Sequence, residues 1–183
     1  MPKAKKPAQQ ACKLERDITV TIKLEYLLYL PKGYAKGSNA AKKKWPLMLF
    51  LHGRGERGND LEMVKLYGPP KLIEAGQEFP FIVVSPQCPT GDGWAKPPLG
   101  PLLDDLEQHL QMDTTRVYLT GLSMGGSATW GMAKDFPNRF AALVPICGNG
   151  DEVWMSKITP AHLGVSWRER RTGSARGIHG IGQ

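Results

Sequence analysis

The run Gly121-Leu122-Ser123-Met124-Gly125-Gly126 is where this chain could do chemistry, because it holds a serine between small residues. Before it lies Arg116-Val117-Tyr118-Leu119-Thr120, a short β-branched and apolar run that reads as a buried strand. After it, Ser127 to Phe136 reads as a helix, which Pro137 ends. A serine in G-x-S-x-G between a strand and a helix is a nucleophile elbow. The turn is so tight that small residues must flank the serine, as Gly121 and Gly125 do. The hydroxyl then projects above the sheet edge, beside the amides that open the helix. The chemistry is nucleophilic attack on an acyl carbon.

Such a serine needs a scaffold. Three wholly apolar runs, Leu47 to Leu51, Phe81 to Val84 and Val117 to Leu119, are joined by a fourth at Ala141 to Ile146. Runs without alternation predict strands covered on both faces, as in a parallel sheet. Helix-compatible segments lie between and around them, at Leu61 to Gly76, Leu102 to Gln111 and Ser127 to Phe136. Strand–helix alternation predicts an α/β, doubly wound, mostly parallel sheet. Ligands in such sheets sit beyond the carboxyl ends of the strands. Upstream, the alternating Ile18 to Ile22 and the more apolar Tyr26 to Leu30 predict an antiparallel pair opening the sheet.

A second glycine-rich stretch, His52-Gly53-Arg54-Gly55-Glu56-Arg57-Gly58, leaves the first apolar strand at the edge that carries Ser123. Acyl transfer needs backbone N–H groups aimed at a developing oxyanion, and glycines let the main chain come close. A P-loop phosphate cradle is not expected, since no Gly-Lys-Ser/Thr follows these glycines. His52 is expected to bond loop backbone rather than act in catalysis. Trp94 and Trp130 fit a core or loop role better than an acyl or aromatic pocket.

These residues resemble the α/β-hydrolase superfamily. They are most similar to carboxylesterase/phospholipase-like esterases related to polyhydroxybutyrate depolymerase and feruloyl esterase domains. The matching pieces are Tyr26 to Tyr34, Leu51 to Gly58, Ser85-Pro86-Gln87-Cys88-Pro89, Val117 to Gly126, and Phe140 to Gly148, within roughly residues 18–158. The resemblance implies hydrolysis of a small-molecule carboxylic ester through an acyl-serine on Ser123, with no metal and no organic cofactor. It also implies that the amides of Met124 and Arg54 form the oxyanion hole, with Gly55 the next candidate. A peptidase or thioesterase on the same fold, or a non-catalytic binding protein that keeps the elbow as a turn, are the alternatives.

Charge and cysteines narrow the class further. The formal net charge is +7, but residues 14–167 carry 16 positive and 16 negative side chains, so the basicity belongs to the two ends. A nucleic-acid reader would concentrate it on a folded module, and no such module is visible. Cys12, Cys88 and Cys147 have no metal-ligand spacing and fit idle thiols in a reducing compartment. No secretory signal and no apolar stretch of ~20 residues is present, so the cytoplasm is the expected compartment and no membrane span is expected.

The triad that such a serine requires is not visible. In this superfamily an acid and then a histidine follow the nucleophile. After Ser123 the carboxylates are Asp135, Asp151, Glu152 and Glu169, and the histidines are His162 and His179. Asp135 falls near the far end of the nucleophile's own helix and reads as a surface residue. Asp151 and Glu152 come before the strand that usually carries the acid. His162 and His179 stand in a segment with neither strand nor helix periodicity. The acid and base are therefore expected to be absent.

The expected organisation is a disordered basic arm over 1–14, an α/β-hydrolase core over 15–158 that is incomplete at its C-terminus, and a foreign tail over 159–183. The tail, basic and containing Gly and Ser, has the composition of out-of-frame translation. Reading the codons of 163–179 one base later, with permitted codons throughout, can give an apolar run into His-Gly-x-x-Asp-x-x-Val-Pro. That string resembles the family's next strand and acid loop. The gene's nucleotide sequence is expected to carry this segment and a later histidine in the alternate frame; sequencing that finds neither removes the frameshift.

Overall fold

The computed structural model describes residues 13–17, 19, 21–34, 43–95 and 98–150. The tail expected to be foreign, 159–183, and nearly all of the expected basic arm lie outside the described residues. One five-stranded sheet organises the remainder, in the order β1-β3-β2-β4-β5. Its strands are β1 (Tyr26–Tyr29), β2 (Trp45–Leu51), β3 (Ile82–Pro86), β4 (Met112–Leu122) and β5 (Ala142–Ile146). β2, β3, β4 and β5 run parallel, and β1 alone is antiparallel. The doubly wound, mostly parallel α/β sheet expected from the apolar runs is present.

The central strands are covered on both faces, which is why their sequences do not alternate. Leu47, Leu49 and Leu51 of β2 join a core with Leu102, Leu103 and Leu106 of α2 (Leu99–His109) and Trp130, Met132 and Ala133 of α3 (Met124–Asp135). Phe50, one residue out of phase, is equally buried but sits against Gly68 at the start of α1 (Gly68–Glu74). A Cβ on Gly68 would fall 2.5 Å from the Phe50 ring, so glycine lets α1 close on the sheet.

Three expectations need correction. The expected opening pair is not seen among the described residues: β1 lies against β3, with Leu28 opposite Val84, and Thr19, Thr21 and Ile22 are outside any strand. The helix expected over 61–76 is a 3-10 segment, Leu61–Leu66, followed by α1. Gly68 has φ +63° and Pro69 and Pro70 occupy the first helical positions, which restarts the chain at a new angle. β4 begins at Met112 rather than near Arg116, because Met112 pairs with Trp45 across a bulge that the polar Asp113-Thr114-Thr115 run disguises.

Chain order sets a crevice. From β2 the chain crosses to β3 on one side, whereas from β4 it crosses to β5 on the other. Connections that diverge from neighbouring strands leave an opening above their carboxyl ends. Leu51 and Gly121, the paired residues at that opening, lead directly into the His52 loop and into Ser123. Leu49, with no exposed surface on central β2, supports this opening from below. Leu49→Ala is expected to cost about 2–5 kcal/mol of stability, read as a lowered urea midpoint.

Candidate active site

Ser123 is exposed between β4 and α3, at φ +52° and ψ −108°. A positive φ is strained for any residue with a Cβ, so surrounding contacts must hold it. Its amide donates to the Ile146 carbonyl at 2.8 Å, and its carbonyl accepts from the Ser127 amide at 3.0 Å. Thr120 Oγ1 donates to the Val144 carbonyl at 2.7 Å, tying the last turns of β4 and β5 together.

The glycines do the remainder. A Cβ on Gly121 would lie 2.4 Å from the Gly125 carbonyl group, and one on Gly125 would lie 1.9 Å from the Leu51 oxygen. Gly126 packs equally closely on the Ile146 oxygen, and Gly148 on Gly126. α3 therefore starts at Met124, three residues earlier than expected, because its glycines serve backbone approach rather than breaking the helix. The amides of Met124, Gly125 and Gly126 fall in the first turn, where helical amides have no i−4 carbonyl within the helix.

The His52 loop lies directly alongside. A Cβ on Gly53 would stand 3.9 Å from Ser123 Cβ and 3.6 Å from the Leu122 oxygen. Arg54–Glu56 then form one 3-10 turn, so the Arg54 amide opens a turn beside the serine, and Gly55 faces open space. His52 is 1% exposed. Its Nε2 accepts from the Cys88 amide at 3.0 Å, which leaves the proton on Nδ1, donated to the Gly53 carbonyl at 2.6 Å. The Trp94 indole donates to the His52 carbonyl at 2.9 Å and its ring meets the imidazole edge-on. Both imidazole nitrogens are committed to backbone, as a loop anchor requires.

No protein-family model matches the chain. A bifunctional acetylxylan esterase/xylanase from Neocallimastix patriciarum is 30% identical over 132 residues, 66% of this chain and 17% of that protein. Poly(3-hydroxyalkanoate) depolymerase C from Paucimonas lemoignei is 28% identical over 120 residues, 56% of this chain and 28% of that protein. The crystal structure of a thermostable esterase superposes on 78% of this chain with a TM-score of 0.62 and 32% identity. This chain has the α/β-hydrolase fold. It spans less than half the length of each of these relatives, the esterase structure being covered over 42% of its chain.

Within this fold, Gly121, Ser123, Met124 and Gly125 form one turn, and Arg54 and Gly55 follow the Gly53 that lies beside it. Asp135 does not: it is exposed at the last position of α3, about 16 Å along the helix from Met124. Asp151, Glu152, His162, Glu169 and His179 lie outside the described residues. Among the described residues, the other histidine, His109, ends α2, where it is exposed and contacts Asp105. Trp130 is a core residue, whereas Trp94 is both buried and one wall of a groove of about 600 Å³. That groove runs from Met124 along α3 to Phe136, with Pro98 and Leu99 opposite. Cys88 and Cys147 are free thiols, buried and exposed respectively. No helix among the described residues is long and apolar enough to cross a membrane.

Burial pushes the His52 imidazole below its ordinary value of 6.5, against the Gly53 carbonyl and the Glu56 carboxylate 3.7 Å away, with Arg57 adding to the lowering. Below 6.5 the unfolded chain takes up a proton that folded His52 refuses, so stability falls as pH drops from 6.5 toward the folded value. Urea midpoints are expected to decline over that interval, and His52→Gln is expected to remove this part of the decline.

Proposed function

We propose that this chain is a serine hydrolase of carboxylic esters with Ser123 as nucleophile. The observation that carries the proposal is the exposed Ser123 at φ +52°, with the Gly53 loop against its Cβ. In this reading Ser123 Oγ attacks the ester carbonyl carbon, and the carbonyl oxygen gains charge as the tetrahedral intermediate forms. The Met124 and Arg54 amides accept that charge by donating to it, with Gly55 next in line. Collapse expels the alkoxide, which takes up by way of solvent the proton lost from the Ser123 hydroxyl and leaves as the alcohol, and the remaining acyl-serine is then hydrolysed by water. The esterase names of the relatives support the reaction class. Small acyl esters fit best at the serine, and the groove beginning at Met124 has room for an apolar group attached to them.

His52 is excluded as the base because its two nitrogens already hold backbone. From the sequence after Ser123, the acid and base are proposed to be missing, and the amides act without them. An oxyanion hole in that condition accelerates hydrolysis by roughly 10³-fold over water, far less than a complete triad. The chain is accordingly expected to hydrolyse p-nitrophenyl acetate slowly but above buffer, with Ser123→Ala changing this residual rate only a few-fold. A fluorophosphonate is expected to label the chain slowly, and mass spectrometry should place the adduct on Ser123. Fast turnover that vanishes in Ser123→Ala would show a working base at His162 or His179. Equal labelling of Ser123→Ala would remove the nucleophile from the proposal.

A further inference from the structure

Within the loop beside Ser123, His52 Nδ1 donates to the Gly53 carbonyl at 2.6 Å and Arg57 Nε to the Arg54 carbonyl at 3.0 Å, but these bonds do not tie the loop to the rest of the fold. The loop is held by a strap, residues 87–94, that leaves β3. The Gly58 amide donates to the Cys88 carbonyl at 3.0 Å, and Arg57 donates to the Asp92 carbonyl at 2.9 Å. His52 accepts from the Cys88 amide and its carbonyl accepts from Trp94, so the strap grips both ends of the loop. From the strap, the centre is gripped by the Gln87 side chain. Gln87 Nε2 donates to the Glu56 carbonyl at 2.9 Å and to the Asp60 carbonyl at 2.8 Å, closing the 3-10 turn that the Arg54 amide opens.

We propose that Gln87 is a positioning residue that sets the Arg54 amide against Ser123. This rests on the reading of Ser123 and its oxyanion amides given above. Gln87 is 3% exposed and its own amide is fixed by the Glu25 carbonyl at 2.8 Å, so the side chain leaves from an immobile backbone. Its NH₂ group has two protons and both are used, one on the last residue of the turn and one four residues further on. Its Oε1, by contrast, is buried with no hydrogen-bond partner among the described residues. An orphaned buried oxygen is a standing penalty that an apolar side chain of the same shape would not carry. A position that served packing alone would gain from losing the amide. Here the amide is useful for what its nitrogen holds, namely the path of residues 56–60 and hence the pitch of the turn beside Gly53.

Geometry at an oxyanion hole is unforgiving, since a displacement near 1 Å can cost about a hundred-fold in rate. Gln87→Met keeps the length and volume of the side chain and removes both donors. Gln87→Glu keeps the shape and turns an oxygen toward two carbonyl oxygens. The full chain and both variants are compared for p-nitrophenyl acetate hydrolysis and for thermal unfolding. The expected result is kcat lower by about ten- to a hundred-fold, with KM within about two-fold, in both variants. In Gln87→Met the Tm is expected to stay within about 3 °C of the parent, which a purely structural role would not allow alongside such a loss. Unchanged kcat in Gln87→Met overturns the proposal. A kcat that falls only in proportion to a collapsing Tm overturns it too, by making Gln87 a structural residue. Failure of the parent chain to exceed the buffer rate removes the oxyanion reading itself, and the role of Gln87 with it.

Discussion

Backbone pressed on backbone is the constraint from which the site follows. The Leu51 carbonyl at the end of β2 and the Gly125 backbone at the start of α3 approach with no room for a side chain between them. That approach brings the last residue of β2 and the serine after β4 to one point above the sheet. It also explains the strain at Ser123. A chain that leaves β4 and must turn at once into a helix against β2 has one residue in which to do so, and that residue takes a left-handed φ. Gly126 and Gly148 repeat the contact on the β5 side, so the elbow is clamped from both neighbouring strands.

A strained turn is useful only if the groups around it are equally immobile, and here polar bonding takes over from packing. The loop after β2 has exposed residues at Arg54 and Gly55 and little apolar surface to bury. It is held instead by hydrogen bonds to the strap after β3, several of them in a buried setting where each is worth more than in water. His52 can take part because burial keeps it neutral, with one nitrogen to accept and one to donate. Protonation would set two donors face to face at Cys88. The loop geometry and the charge state of one imidazole are thus the same fact seen twice.

The sheet's order does the coarse placement. With β3 on one side of β2 and β5 on the far side of β4, the loops that follow β2 and β4 part company and leave the crevice open. The strap that steadies the first loop comes from β3, the strand next to it, and the residues that fix the second come from β5. Each wall of the crevice is therefore supported by its own outer neighbour. The groove along α3 begins one residue past the serine, at Met124.

Much of this was legible in the residues themselves. Apolar runs at 47–51, 81–84, 117–119 and 141–146 marked the parallel strands, because burial on both faces leaves no polar alternation to hide them. The glycines around Ser123 marked the elbow, because tight backbone approach admits nothing larger. Other features depend on contacts distant along the chain and were not legible. The partner of β1 is β3, more than fifty residues on, and local alternation pointed instead to a hairpin. Gln87 is an ordinary polar residue in the sequence, and its use is decided by carbonyls at Glu56 and Asp60 that only folding brings within reach. The chain's own pattern determined which serine could react and on what scaffold. Tertiary structure decided what holds the loop beside it, because hydrogen-bond geometry belongs to the assembled backbone and not to any stretch of sequence.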